Sequence, residues 1–117
     1  MTAPHRILIV EDEPLIAMML EDFIEALERE VAGIADSVAG ALDCIERHEI
    51  DAAILDVNLR AGEQSWPVAE KLIEKGIPFV LATGGAGDTI AEPFRDRAIL
   101  SKPFTMDGVE RALRALG

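Results

Sequence analysis

Apolar residues arrive along this chain in two alternating rhythms. Five short runs rich in Ile, Val, Leu and Ala occupy Ile7 to Val10, Val31 to Ala35, Ala53 to Val57, Phe79 to Ala82 and Ala98 to Leu100. They open near Arg6, Val31, Ala52, Ile77 and Ala98, so that starts recur roughly every 21 to 25 residues, room for one strand and one helix each time. Between the runs the period lengthens. Leu15, Ile16, Met19, Leu20, Phe23, Ile24 and Leu27 fall on one side of a helix, with Glu21, Asp22, Glu25 and Glu28 on the other. Val38, Ala41, Leu42 and Ile45 predict a second helix, and Met106, Val109, Leu113 and Leu116 predict the last.

Punctuation supports these boundaries. Pro14 suits a first helical turn, Ser37 and Thr105 are candidate N-caps, and Gly33, Gly76 and Gly117 fall outside the helical segments. Two further helices are expected: Ser65 to Lys75, with Val68, Leu72 and Ile73 on one face and Pro67 in the first turn, and a short one over Asp88 to Arg95, interrupted by Pro93. Strand runs that are apolar throughout, with no alternation, imply burial on both faces, as in a parallel sheet covered by helices on each side. The expected fold is therefore α/β, a doubly wound (βα)5 unit without a linker or second domain. Right-handed crossovers place the loops after strands one, three, four and five on the carboxyl edge, where open α/β sheets bind ligands.

Composition narrows the function. The chain has 117 residues, which fits one domain over 1–117, and half of them are hydrophobic, enough for a single core. Twenty-two acidic against 11 basic side chains leave a charge of −11, which opposes binding to nucleic acid or anionic lipid. Cys44 is the only cysteine, so a disulfide scaffold and a thiolate zinc cluster are excluded. The run Ile7 to Val10 is too short for the apolar region of a signal peptide, and no later stretch would span a bilayer. These features predict a soluble, cytoplasmic protein. Cys44 reads as a small helix side chain, His5 and His48 as surface residues, and Met18 and Met19 as core and core edge.

The strand ends carry the chemistry. Glu11, Asp12 and Glu13 follow the first strand, Asp56 and Asn58 the third, Thr83 and Gly84 the fourth, and Ser101, Lys102 and Pro103 the fifth. Carboxylates with a carbonyl make a hard-oxygen site for Mg²⁺, while a lysine and a hydroxyl can hold phosphoryl oxygens. Asp56 closes an apolar strand and needs a positive partner, for which Lys102 is the nearest candidate by topology. A lone acidic triplet before Pro14 could merely favour a helix N-terminus. Its convergence with the other strand ends argues for a site. The glycines at 84, 85 and 87 do not form a dinucleotide fingerprint, since they follow the fourth strand with the wrong spacing.

Taken together, Ile7-Leu8-Ile9-Val10-Glu11-Asp12-Glu13-Pro14, Ile54-Leu55-Asp56-Val57-Asn58-Leu59, Ala82-Thr83-Gly84 and Ser101-Lys102-Pro103-Phe104 resemble the response-regulator receiver domain of two-component signalling. The resemblance covers essentially the whole chain and implies a flavodoxin-like sheet of strand order 2-1-3-4-5. It implies that Asp56 takes a phosphoryl group from the phosphohistidine of a sensor histidine kinase or histidine phosphotransfer protein. Asp12, Asp56 and the backbone carbonyl of Asn58 would ligate Mg²⁺, with Glu11 assisting through water. Thr83 would hydrogen-bond the phosphoryl group and Lys102 would pair with it, ahead of a cis bond to Pro103. Phosphoryl transfer needs chiefly an in-line nucleophile and fixed positive charge, which suits this set.

Where the family usually has an aromatic ring, three residues before the lysine, this chain has Ile99. The glycine-rich segment 83–87 suggests instead a signal carried by ordering of that loop and the short helix after it. The family's usual partner face, formed by the helix over 88–95, the fifth strand and the last helix, would here be made basic by Arg95, Arg97, Arg111 and Arg114. The expected role is a stand-alone phosphoacceptor without an output domain that catalyses only its own phosphorylation and dephosphorylation. Two alternatives compete. A degenerate receiver would bind partners without phosphorylation, for which Ile99 speaks and the set Asp12, Asp56, Thr83 and Lys102 speaks against. A haloacid-dehalogenase-type phosphatase would need a second acid two residues after its nucleophile, where this chain has Asn58.

Overall fold

Each of the central strands hides both of its faces, as the unbroken apolar runs require. The computed structural model describes residues 5–57, 59, 63–83, 99–101 and 104–116. Within them the chain runs β1 (Arg6–Val10), α1 (Pro14–Ala26), β2 (Glu30–Ala35), α2 (Val38–Arg47), β3 (Ala52–Asp56), α3 (Trp66–Glu74), β4 (Phe79–Thr83), β5 (Ile99–Ser101) and α4 (Met106–Leu116). The five strands are parallel and ordered β2-β1-β3-β4-β5, as the resemblance implied. The helix expected over Asp88 to Arg95 lies outside the described residues.

Alternate residues of one strand serve two cores. Leu8 and Val10 of β1 join Ala53 and Leu55 of β3 and Phe79 and Leu81 of β4 against Ala41 and Ile45 of α2 and Val68, Ala69 and Leu72 of α3. Ile7 and Ile9 go to the other face with Ile54, Val80 and Leu100, against Leu20 and Ile24 of α1 and Val109 and Leu113 of α4. A fully buried aliphatic side chain contributes roughly 1.5–3 kcal/mol, so two such layers hold a domain of this size without cross-links. The polar edge where the strands begin is tied separately: the carboxylate of Asp51 accepts from the Arg6 amide at 2.9 Å, and the Arg6 guanidinium donates to Glu49 O at 2.7 Å and Glu30 Oε2 at 2.9 Å.

Helix ends follow local chemistry. Pro14 starts α1, Pro67 sits in the first turn of α3, Ser37 Oγ accepts from Gly40 N–H at 3.0 Å, and Thr105 Oγ1 accepts from Gly108 N–H at 3.0 Å. Two helices close in the same way, with the residue after the C-cap left-handed: Gly76 at φ 72° after α3 and Glu28 at φ 63° after α1. The amide of Glu28 donates to Glu25 O and that of Arg29 to Ile24 O, both at 3.0 Å. Gly33 marks no helix boundary; it lies inside β2, beside a bulge at Ala32.

Several faces differ from the periodic reading. Leu15 and Met18 are 78% and 53% exposed, and Ile73 and Met106 are exposed as well. A 3.6-residue period marks a stripe wider than the strip of helix that the sheet covers, so flanking members of the stripe are left outside. Trp66 and Cys44 pack at the margin of the α2/α3 core, whereas His5 and His48 are exposed as expected.

Candidate functional site

Parallel register brings the acids together. Ile9 pairs with Ile54 and Val10 with Leu55, so the next residue of each strand, Glu11 and Asp56, meets at the carboxyl edge. Both continue the alternation that sends Ile9 and Ile54 to the α1/α4 face. Asp12 follows at once, before Pro14 opens α1. Carboxylate oxygens of Glu11, Asp12 and Asp56 all lie within 4.8 Å of one another. Glu11 is 2% exposed and Asp56 4%, while Asp12 is half-buried and faces an open cavity of about 300 Å³ shared with Glu11, Pro14, Ala17, Ile34 and Asp36.

Backbone hydrogen bonds fix the frame around these acids. Glu11 N–H donates to Ala35 O at 2.9 Å, binding the end of β1 to the end of β2, and Val57 N–H donates to Ala82 O at 3.1 Å. Glu11 Oε2 in turn accepts from Glu13 N–H at 3.2 Å, turning the acidic loop into α1. Beyond β3, Ser65 donates to Val57 O through both its amide, at 3.2 Å, and its hydroxyl, at 3.3 Å. Ser65 is fully buried and makes no side-chain cap on α3; it spends its hydroxyl on the strand end beside Asp56.

Thr83 ends β4, 7% exposed, next to Ala82, the register partner of Asp56, and opposite Ser101 of β5. Four of the expected side chains, Glu11, Asp12, Asp56 and Thr83, thus gather at one sheet edge. Asn58, Lys102 and Pro103, with the glycine-rich segment 84–87, lie outside the described residues. Three carboxylates this close are a hard-oxygen donor set of the kind Mg²⁺ or Ca²⁺ takes, with the remaining positions left to carbonyl and water. The burial of Glu11 was not foreseen. Its signal was present in the register: a residue immediately after an all-apolar central strand inherits that strand's covered environment.

The face expected to be basic is less so. Arg111 pairs with Asp107 at 3.6 Å and Arg114 with Glu110 at 2.9 Å, both along the surface of α4. Arg95 and Arg97 lie outside the described residues. Ile99 stands 43% exposed on β5.

A family description, response regulator receiver domain, matches residues 7–114. The chain belongs to that family. Among solved structures it is similar to SdrG from Sphingomonas melonis Fr1, with 64% identity, 99% of this chain and 98% of that chain covered, and a TM-score of 0.89. The BeF3-activated conformation of SdrG matches over the same spans with a TM-score of 0.84. The anti-anti-sigma factor PhyR from Bartonella quintana matches at 25% identity over 97% of this chain and 47% of that one, with a TM-score of 0.81. Among curated proteins, the transcriptional regulatory protein PdtaR of Mycobacterium tuberculosis is 30% identical over 94% of this chain and 55% of its own length. The chain spans about half the length of the curated relatives it matches.

Proposed function

We propose that the chain is a phosphoacceptor switch, in which Asp56 receives a phosphoryl group from a protein phosphohistidine and the modified domain changes its protein contacts. The observation that carries this reading is the convergence of Glu11, Asp12 and Asp56 within 4.8 Å at the carboxyl edge, with Thr83 on the neighbouring strand end. A carboxylate oxygen of Asp56 attacks phosphorus in line, the P–N bond breaks as the O–P bond forms with the electron pair returning to nitrogen, and the imidazole leaves neutral because its other ring nitrogen carries a proton. Mg²⁺, where bound, would supply charge neutralisation at the transferring oxygens. Asp12 and Asp56 would hold it with the carbonyl of Asn58, and Glu11 would orient a ligating water.

The protein supplies position rather than covalent chemistry. Asp56 is held by a strand buried on both faces, so its carboxylate needs little reorganisation to meet the phosphorus. The Thr83 hydroxyl donates to one phosphoryl oxygen and the Lys102 ammonium pairs with another. Hydrolysis of the acyl phosphate at the same site resets the switch, which limits catalysis to the domain's own modification. BeF3 is a mimic of a phosphoryl group on a carboxylate, and the activated conformation of SdrG, a relative at 64% identity, supports the same chemistry here.

Exposed Leu15 and Met18 on α1 offer an apolar surface beside the acids for a sensor kinase or phosphotransfer protein. The downstream partner is a protein that docks on the β5 and α4 side, where Ile99 and Met106 are exposed. No helix among the described residues is long and apolar enough to cross a membrane, and the acidic charge opposes binding to an anionic lipid or nucleic-acid surface. The test is transfer of labelled phosphate from a phosphorylated histidine phosphotransfer protein. Label should reach the wild type and not Asp56→Asn; equal labelling of both would place the acceptor elsewhere.

A further inference from the structure

We infer that Glu63 is a positioning residue for the phosphoacceptor loop, acting by capping helix α2 from the connection between β3 and α3. The inference rests on the receiver reading above and adds to it a residue outside the acidic cluster.

A helix begins with amides that have no partner inside it. At α2, Ser37 Oγ takes Gly40 N–H, and the amide of Val38 is taken by Glu63 Oε1 at 3.0 Å. Glu63 belongs to the connection between β3 and α3, and it is bonded at both ends: its own carbonyl accepts from Leu59 N–H at 2.7 Å. Leu59 is buried and anchors that amide in the α2/α3 core. Two residues on, Ser65 grips Val57 O twice. The residues on either side of position 58 are therefore both held from the stretch 63–65, directly after Asp56.

The other end of the bridge is the first residue of α2, two residues after Asp36, which lines the same cavity as Glu11 and Asp12. Strands β2 and β3 are not neighbours in the sheet; β1 lies between them. Glu63 is thus a direct side-chain tie between the loops that leave their carboxyl ends. The bond is exposed, so as a lone cap it adds little to global stability, and a carboxylate at a helix N-terminus is favoured by the local dipole. Its consequence falls on the loop geometry.

The experiment compares wild type, Glu63→Ala and Glu63→Gln by Mg²⁺ titration calorimetry and by amide hydrogen exchange in the metal-free protein. Glutamine keeps the acceptor oxygen and loses the charge. In Glu63→Ala, exchange at Val38 and Leu59 should accelerate and Mg²⁺ affinity should fall about threefold to tenfold, less than the roughly 10–100-fold typical of a ligand's direct partner. Glu63→Gln should stay within about twofold of wild type, since a neutral acceptor retains most of a capping bond. Wild-type Mg²⁺ affinity in Glu63→Ala, with Val38 exchange accelerated, would overturn the inference alone. Equal loss in both variants would overturn the capping role in favour of a charge effect. A wild type that binds no Mg²⁺ would overturn the receiver reading and this inference with it.

Discussion

Asp12 and Asp56 hold carboxylate oxygens within 4.8 Å of each other although they come from the ends of different strands. Like charges at that distance repel by about 1–3 kcal/mol between water-like and surface-like dielectric. A divalent cation held between them would relieve that repulsion. Without divalent cations at pH 7, Asp12→Asn should be more stable than wild type by about 1 kcal/mol, the lower end of that range because Asp12 is half-buried. Millimolar Mg²⁺ should raise the wild-type melting temperature and leave that of Asp12→Asn nearly unchanged. Thermal denaturation in chelator and in Mg²⁺ checks both.

Glu28 carries a left-handed φ of 63° where the equivalent position after α3 is Gly76. A side chain in that conformation costs roughly 1–2 kcal/mol, partly offset in a glycine variant by the greater freedom of its unfolded chain. Glu28→Gly should therefore stabilise the protein by about 0.5–1 kcal/mol, and Glu28→Val should destabilise it. Urea denaturation with unchanged m-values would show this directly.

Glu46 joins α2 to α3 through Lys71 at 3.1 Å, with Lys75 at 3.8 Å. The hydrogen bond from Lys71, then its charge and that of Lys75, hold the Glu46 carboxyl below its ordinary 4.5. A carboxylate with a depressed folded-state value contributes stability that is full above the ordinary value and is lost as pH falls through the folded one. The stability advantage of wild type over Glu46→Gln should thus be constant from pH 6 to 8, begin to fall near 4.5 and be lost as pH drops through the lower folded-state value. Hydrogen bonds to Glu74 and Glu46 raise Lys71 above 10.5, so the same tie loosens again only at strongly alkaline pH. Denaturation curves across pH for both proteins measure the window.

A Cβ added to Gly33 would lie 3.1 Å from Cys44 Sγ and 3.8 Å from Leu8 Cδ1. Gly33→Val should therefore overpack the α2 side of β2 and destabilise by about 1–3 kcal/mol, and Cys44→Ala should recover much of that loss. Burial, then the charge of Asp43, raises the Cys44 thiol above 9.0 against the opposing pull of Arg47, so Cys44 should react slowly with thiol reagents at neutral pH. A double-mutant cycle and a thiol titration check the pair.

The sheet was legible because β1, β3 and β4 are covered on both sides, which leaves an unbroken apolar run as the signature of each strand. The site was legible for a related reason: acids and a hydroxyl placed at the ends of such runs have only the carboxyl edge to occupy. What the sequence concealed depends on relations between segments. Leu15 belongs to the apolar stripe of α1 by spacing, yet the sheet and α4 cover only part of that stripe, and Met18, expected at the core or its edge, is exposed. Glu28 closes α1 in a conformation that glycine usually marks, so no glycine announces that helix end in the sequence. Arg111 and Arg114 read as free positive charge, but acids four residues before them on α4 take them up. Glu63, an ordinary loop acid by its surroundings in the chain, acquires its partner only when α2 is brought beside it.

The most direct measurement is intact mass after incubation with acetyl phosphate, with and without Mg²⁺, for wild type and Asp56→Asn. The account predicts a single phosphoryl adduct, about 80 Da by the chemistry of transfer, that requires both Mg²⁺ and Asp56. An adduct that persists in Asp56→Asn, or a folded wild type that binds Mg²⁺ and gains no mass, would contradict it.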